Sequence, residues 1–267
     1  MTGNLDLNRI RGVLLDVDGT LWRGSQPVPG LAEFFALLHA RRIGYRIVTN
    51  SSVRPPQYYR DKLAHFGVGV ELHTILTSAE ATARYLTRTL APAAAVYVIG
   101  EEGLTSALQH AGLTIMGAAT QPVAAVVVGG DRALTYAKLK DAILLLLRGA
   151  QLIGTNPDLL VPTAVGLAPE TGTTLAALTA ATGVAPTVIG KPARWLFDAA
   201  LEQLGLAPEQ ALMIGDRLET DVLGGQRAGL RTALVTSGVD NAAGIQDKGI
   251  RPDLVVADLA ELVRRWQ

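Results

Sequence analysis

Asp16 and Asp18 stand at the end of a short apolar run, Val13-Leu14-Leu15, and lead into Gly19-Thr20. Two carboxylates this close repel each other, so the pair is costly unless a cation or a proton shares the charge. A short apolar run bounded by turn signals reads as a buried strand. In an open α/β sheet, ligands bind beyond the carboxyl ends of the strands. Gly19 lets the backbone turn sharply and lets a ligand come close. Read alone, the stretch is a strand followed by an Asp-Gly turn; what overturns that reading is the rest of the chain.

Three further groups follow apolar runs in the same way. Thr49, Asn50 and Ser51 come after Tyr45-Arg46-Ile47-Val48, Lys191 after Thr187-Val188-Ile189, and Asp216 and Asp221 after Ala211-Leu212-Met213-Ile214. In a parallel sheet such ends line one edge, so residues distant in sequence can converge. The carboxylates Asp16, Asp18 and Asp216 suit a hard cation such as Mg²⁺, which takes oxygen ligands. A lysine with hydroxyl and amide donors suits a phosphate. Together they suggest phosphoryl transfer, in which positioning and charge neutralisation supply most of the catalysis.

The elements that must position these groups alternate strand with helix. Pro29-Gly30 opens a helix with apolar Leu31, Phe34, Phe35, Leu37 and Leu38, and Gly44 ends it. Pro55-Pro56 starts a second helix to about Phe66, and Thr74 to Thr77 is a third strand. From about 78 to 185 the chain is rich in Ala, Thr, Val and Leu and repeats strand then helix, enough for an α/β layer of its own. A helix from about Ala193 to Leu204 and further strands at 232–235 and 253–256 complete the pattern. The expectation is an α/β protein with a doubly wound parallel-sheet core of about 1–77 and 186–267 and an inserted α/β domain of about 78–185.

Composition excludes several classes. The 267 residues are 49% hydrophobic and 18% charged, which suits a folded chain with a sizeable core. Lys+Arg and Asp+Glu both total 24, which argues against non-specific nucleic-acid binding and a basic membrane surface. Without cysteine there are no disulfides, thiolate metal sites or cysteine nucleophile. Met1 to Arg11 is polar with no signal-like apolar region, and the greasiest run, Ala142 to Leu147, is too short to span a bilayer. A soluble, cytoplasmic protein is expected. Gly190-Lys191-Pro192 lacks the Ser/Thr of a phosphate-binding P-loop. No G-x-S-x-G elbow or dinucleotide fingerprint is present, and His39, His65, His73 and His110 lie scattered. Trp22 and Arg23 either pack or touch substrate, and 158–171 reads as a surface loop or a loop that reads the substrate.

Asp16-Val17-Asp18-Gly19-Thr20 resembles the first motif of the haloacid dehalogenase superfamily. Thr49-Asn50, Lys191 and Gly215 to Asp221 resemble its second, third and fourth motifs, in order. Asp16 to Gly24, Thr49 to Ser52 and Asn156-Pro157-Asp158 look like its class IIA branch of nitrophenylphosphatase-like and NagD-like phosphatases. The resemblance implies a Rossmann-like core with an inserted cap domain and a Mg²⁺-dependent phosphatase of small phosphate monoesters. Asp16 would be the nucleophile and Asp18 the acid and base. Asp16, Asp216 and the Asp18 backbone carbonyl would hold Mg²⁺. Thr49, Asn50, Ser51 and Lys191 would hold phosphate, with Asp221 in support. It also allows a homodimer through the cap. Ser51 stands where many relatives have a second asparagine. A phospho-accepting signalling or binding protein without turnover is the alternative.

Overall fold

The computed structural model describes residues 5–163 and 165–267; Met1–Asn4, in the polar N-terminal stretch, and Ala164, in the expected 158–171 loop, lie outside them. The chain divides into two compact units, one of residues 1–49, 59–76 and 191–267, the other of 50–58 and 77–190.

The first unit is built on a six-stranded sheet ordered 254–256, 231–235, 211–215, 12–15, 44–49, 75–77. Gly12–Leu15 pairs in parallel with Ala211–Gly215 on one side and Gly44–Thr49 on the other. It is buried along its whole length, as a central strand covered on both faces must be. From it the chain steps outward in one direction through 44–49 to 75–77, and in the other from 211–215 through 231–235 to 254–256. The order therefore reverses between Gly12–Leu15 and Ala211–Gly215, and that switch point is where an open α/β sheet leaves a crevice for a ligand. Helix Leu31–Ala40 buries Leu31, Phe34, Phe35 and Leu38, and they join Val13, Leu15, Ile47, Leu262 and Trp266 in one core.

The second unit has its own five-stranded sheet, ordered 187–188, 151–154, 125–128, 95–99, 114–116, parallel in each pairing. Its core gathers Val126, Val128, Leu145, Leu152 and Leu178. Asn50–Tyr58 clusters with this unit, which differs from the expected bounds, as does the extension to residue 190. The reason is polar. The Asn50 carbonyl accepts from Ser78 Oγ at 2.6 Å and Asn156 Nδ2 at 2.9 Å, and Ser52 Oγ accepts from the Gly130 N–H at 3.2 Å.

Two expectations are corrected. The strand before Lys191 belongs to the second unit's sheet, where Thr187 and Val188 face Ile153 and Gly154, not to the sheet that carries Asp16. An apolar triplet fits either sheet, and periodicity does not say which one. The 158–171 loop contains a hairpin, Leu160–Thr163 against Gly166–Pro169. Pro162 and Pro169 argue against strands in a sheet interior, but each strand of a two-stranded ribbon has an outer edge that asks for no partner.

Candidate active site

Asp16 leaves the central strand with its N–H donating to the Ile214 carbonyl at 2.9 Å, and Asp216 follows the neighbouring strand one residue after Gly215. Both therefore lie at the switch point, and the folding reason is register: Leu15 faces Ile214 on one side and Ile47 on the other. Thr49 ends the latter strand and is buried. Asp221 comes from a π-helical turn, Leu218–Val222, whose first N–H is held by Asp240 Oδ2 at 2.8 Å.

Lys191 joins them from the approach to helix Arg194–Leu204. Its side chain is 2% exposed, and its ammonium donates to Asp16 Oδ1 at 2.5 Å, to Asp221 Oδ1 at 2.7 Å and to the Val48 carbonyl at 3.3 Å. Burial works against this charge, but the Asp16 and Asp221 carboxylates outweigh it and hold the ammonium above its ordinary range. The carboxyl groups outnumber it. Burial raises Asp16 well above the usual carboxylate range against the pull of Lys191. Burial, then the Asp221 charge, pushes Asp216 up to about 7.

Among the described residues, Asp16, Asp216 and Asp221 offer ligand atoms all within 4.8 Å of one another. Asp216 Oδ2 accepts the Val239 N–H at 2.7 Å, whereas Asp216 Oδ1 is buried with no hydrogen-bond partner. An orphaned carboxylate oxygen beside two more carboxyl groups, in a site with surplus negative charge, fits a hard divalent cation. Of the carboxylates expected together from sequence, Asp16, Asp18 and Asp216, the structure brings the side chains of Asp16 and Asp216 into this cluster. The Asp18 side chain is exposed and its Oδ1 accepts from Trp22 Nε1 at 2.9 Å, so Asp221 takes its place in the cluster.

The second motif divides between the units. Thr49 belongs to the first, and Asn50 and Ser51 to the second, where Asn50 Nδ2 donates to Asp158 Oδ2 at 3.2 Å. Sequence reasoning missed the segment 237–240. Besides the Val239 contact, Ser237 Oγ donates to the Gly19 carbonyl at 2.8 Å. Gly19 has φ +85, and a Cβ there would stand 2.2 Å from Asp216 Oδ2; at Gly238 it would stand 1.9 Å away. The two glycines thus let backbone close around the Asp216 carboxylate. The Ser-Gly pair was legible as a turn, but nothing in it pointed to Asp216.

Family models described as haloacid dehalogenase-like hydrolase and HAD-hydrolase-like match residues 13–114 and 188–262. The chain is 37% identical over 253 residues to 5′-nucleotidase YutF of Bacillus subtilis, covering 95% of this chain and 97% of the relative. Its structure is similar to that of a 4-nitrophenylphosphatase from Thermotoga maritima, with TM-score 0.92, 33% identity and coverage of 98% and 99%. It is also similar to a glycerol phosphate phosphatase from Mycobacterium tuberculosis solved with magnesium, with TM-score 0.88, 32% identity and coverage of 95% and 76%.

Proposed function

The chain belongs to the haloacid dehalogenase superfamily, in its class IIA branch, and on that premise we propose that it is a Mg²⁺-dependent phosphatase of small phosphate monoesters. The observation that carries the proposal is the buried meeting of Asp16, Asp216 and Asp221 around Lys191, with Asp216 Oδ1 left unbonded. Relatives named for nucleotides, nitrophenyl phosphate and glycerol phosphate support the ester class. Sugar phosphates, nucleoside monophosphates, phosphoglycolate and pyridoxal phosphate are the candidates.

Asp16 attacks phosphorus, the bond from phosphorus to the ester oxygen breaks, and Asp18 gives its proton to the departing oxygen. Asp18 then takes a proton from water as that water attacks the phosphoaspartyl group. The bond between phosphorus and the Asp16 oxygen breaks, and phosphate leaves with Asp16 restored. Thr49, Asn50, Ser51 and Lys191 hold the phosphate, and Asp221 keeps the Lys191 ammonium in place. Asp16, Asp216 and the Asp18 backbone carbonyl would hold Mg²⁺, which would supply neutralisation of the phosphate charge.

The second unit supplies substrate choice as a cap, since it lies outside the Asp16, Asp216 and Lys191 cluster in sequence. A homodimer through this unit, which the family resemblance allows, is part of the proposal. Charge balance argues against non-specific nucleic-acid binding and a basic membrane surface, a cytoplasmic location is part of the proposal, and among the described residues no helix is long and apolar enough to cross a membrane. Phosphate release from a panel of monoesters, with Mg²⁺ and with excess EDTA, tests the proposal. Release from several esters that EDTA abolishes is expected, and undiminished release in EDTA with metal content checked overturns it.

A further inference from the structure

Trp22 is fixed more firmly than the residue it touches. Its side chain is 1% exposed, its ring stacks on Tyr59 with centroids 6.3 Å apart and planes 17° from parallel, and Phe66 lies at 6.0 Å. The Lys62 ammonium sits 4.3 Å from the same ring centroid and donates to the Gly24 carbonyl at 2.8 Å, so a cation covers one face of the indole. The backbone closes the loop as well, with the Gly19 N–H donating to the Trp22 carbonyl at 2.7 Å. A buried tryptophan needs a partner for its N–H. Here that partner is Asp18 Oδ1, at 2.9 Å, on an exposed side chain.

The terminal torsion of an aspartate is broad and two-fold, so an exposed carboxyl group turns readily unless something holds it. A group that must give and then take a proton works only within hydrogen-bond reach of the reacting oxygen. Holding it there in advance removes an orientational cost from both half-reactions. An indole clamped between Tyr59, Phe66 and Lys62 cannot follow the carboxyl group as it turns, so it acts as a fixed reference.

We infer that Trp22 is a positioning residue: its indole N–H holds Asp18 Oδ1 and so reserves Oδ2 for the proton passed to the leaving oxygen and later taken from water. The inference rests on the phosphatase reading and adds a residue to it.

Steady-state kinetics of Trp22→Phe test it, on the best alkyl phosphate of the panel and on 4-nitrophenyl phosphate. The substitution keeps a ring in the stack and removes the N–H. Phe34→Leu is the packing control, because it loosens the same core against Phe35 and Trp266 and leaves both the clamp around Trp22 and the N–H in place. An alkoxide needs a proton to leave, and nitrophenolate does not. For Trp22→Phe we expect kcat/KM on the alkyl ester, which reports the steps up to departure of the alcohol, to fall about 10-fold, and a clearly smaller loss of kcat/KM on the nitrophenyl ester. Phe34→Leu should lower the melting temperature and leave the ratio of the two substrates unchanged. In an Asp18→Asn background, Trp22→Phe should cost nothing more. A further measurement does not depend on how Trp22→Phe folds: the Trp22 indole ¹⁵N–¹H signal should shift when Asp18 becomes Asn. Equal losses of kcat/KM on both esters, the same added loss in the Asp18→Asn background, or an indole signal blind to that change overturns the inference. Wild-type protein that hydrolyses neither ester overturns the phosphatase reading itself, and this inference with it, before any variant is compared.

Discussion

Lys191 and Asp16 form a buried ion pair of 2.5 Å, and the same ammonium reaches Asp221 at 2.7 Å. One cation thus holds two carboxylates that would otherwise face each other in a poorly solvated site. Removing one partner of a buried pair leaves an uncompensated charge, which costs about 3–5 kcal/mol. Lys191→Met should therefore destabilise the metal-free protein by about that amount at pH 7.5. The loss should shrink at pH 5, because Asp16 and Asp216 both take up protons more readily than ordinary carboxyl groups and need the ammonium less once neutral. Urea denaturation in EDTA at the two pH values checks this. Equal stability of variant and wild type at both values would mean that the ammonium does not carry the compensation assigned to it.

Asp216 gives the metal-free protein a defined pH dependence. Its folded-state pKa stands at about 7, above the ordinary 3.8, because burial and the Asp221 charge disfavour its ionised form. The folded state thus binds a proton that the unfolded state releases. Its contribution to stability is fully present below about pH 4 and is lost as pH rises to about 7. A divalent cation competes with that proton. Melting temperatures in EDTA should decline across this window, and Mg²⁺ should raise them at pH 8 far more than at pH 5.5. A Mg²⁺ shift of the same size at both pH values would separate the cation from Asp216.

What the sequence made legible was the set of polar residues that directly follow apolar runs. Asp16, Thr49 and Asp216 are placed by strands whose apolar character is local, so reading outward from each run finds them. Lys191 was reached by reading outward from a strand assigned to the wrong support, since that strand pairs with Gln151–Gly154. Which of two sheets a short strand joins is decided by packing far away in the chain. The replacement of Asp18 by Asp221 in the carboxylate cluster was hidden for a similar reason. Side-chain direction depends on a hydrogen bond from Trp22 and on a π-helical turn. The contact of Val239 with Asp216 uses only a backbone N–H, which carries no signature in residue type.

That contact gives a third prediction. A Cβ at Gly238 would stand 1.9 Å from Asp216 Oδ2 and 2.4 Å from Asp216 Cβ. At those distances something must shift, so Gly238→Ala should swing Asp216 out of the cluster without emptying the hydrophobic core. Loss of one well-placed ligand or its support typically weakens metal affinity by about 10–100-fold. Isothermal titration with Mg²⁺ on protein of verified fold should show a loss in that range. Unchanged affinity would remove Asp216 from the ligand set.

The last prediction separates Asp16 from Asp18, which the sequence places two residues apart and the structure places in different surroundings. Asp16 is buried against Lys191, whereas Asp18 is exposed and bonded to Trp22. Asp16→Asn and Asp18→Asn each remove one charge at nearly constant shape. The amide at position 16 cannot form a phosphoenzyme, so that variant should fail on every ester. The amide at position 18 cannot protonate a departing alkoxide, so turnover of alkyl phosphates should fall by about 10²–10⁴-fold, the usual worth of general acid–base help. Nitrophenolate leaves without a proton, so the first half-reaction should survive in part on that substrate. The second half-reaction still needs water to be activated, and phosphoenzyme should therefore accumulate in Asp18→Asn. Acid quenching followed by mass spectrometry of the intact protein detects it as bound phosphate. Phosphate found on Asp16→Asn would show that the nucleophile lies elsewhere. Equal losses of Asp18→Asn on both ester types, with no trapped phosphoenzyme, would take the proton-transfer role away from Asp18.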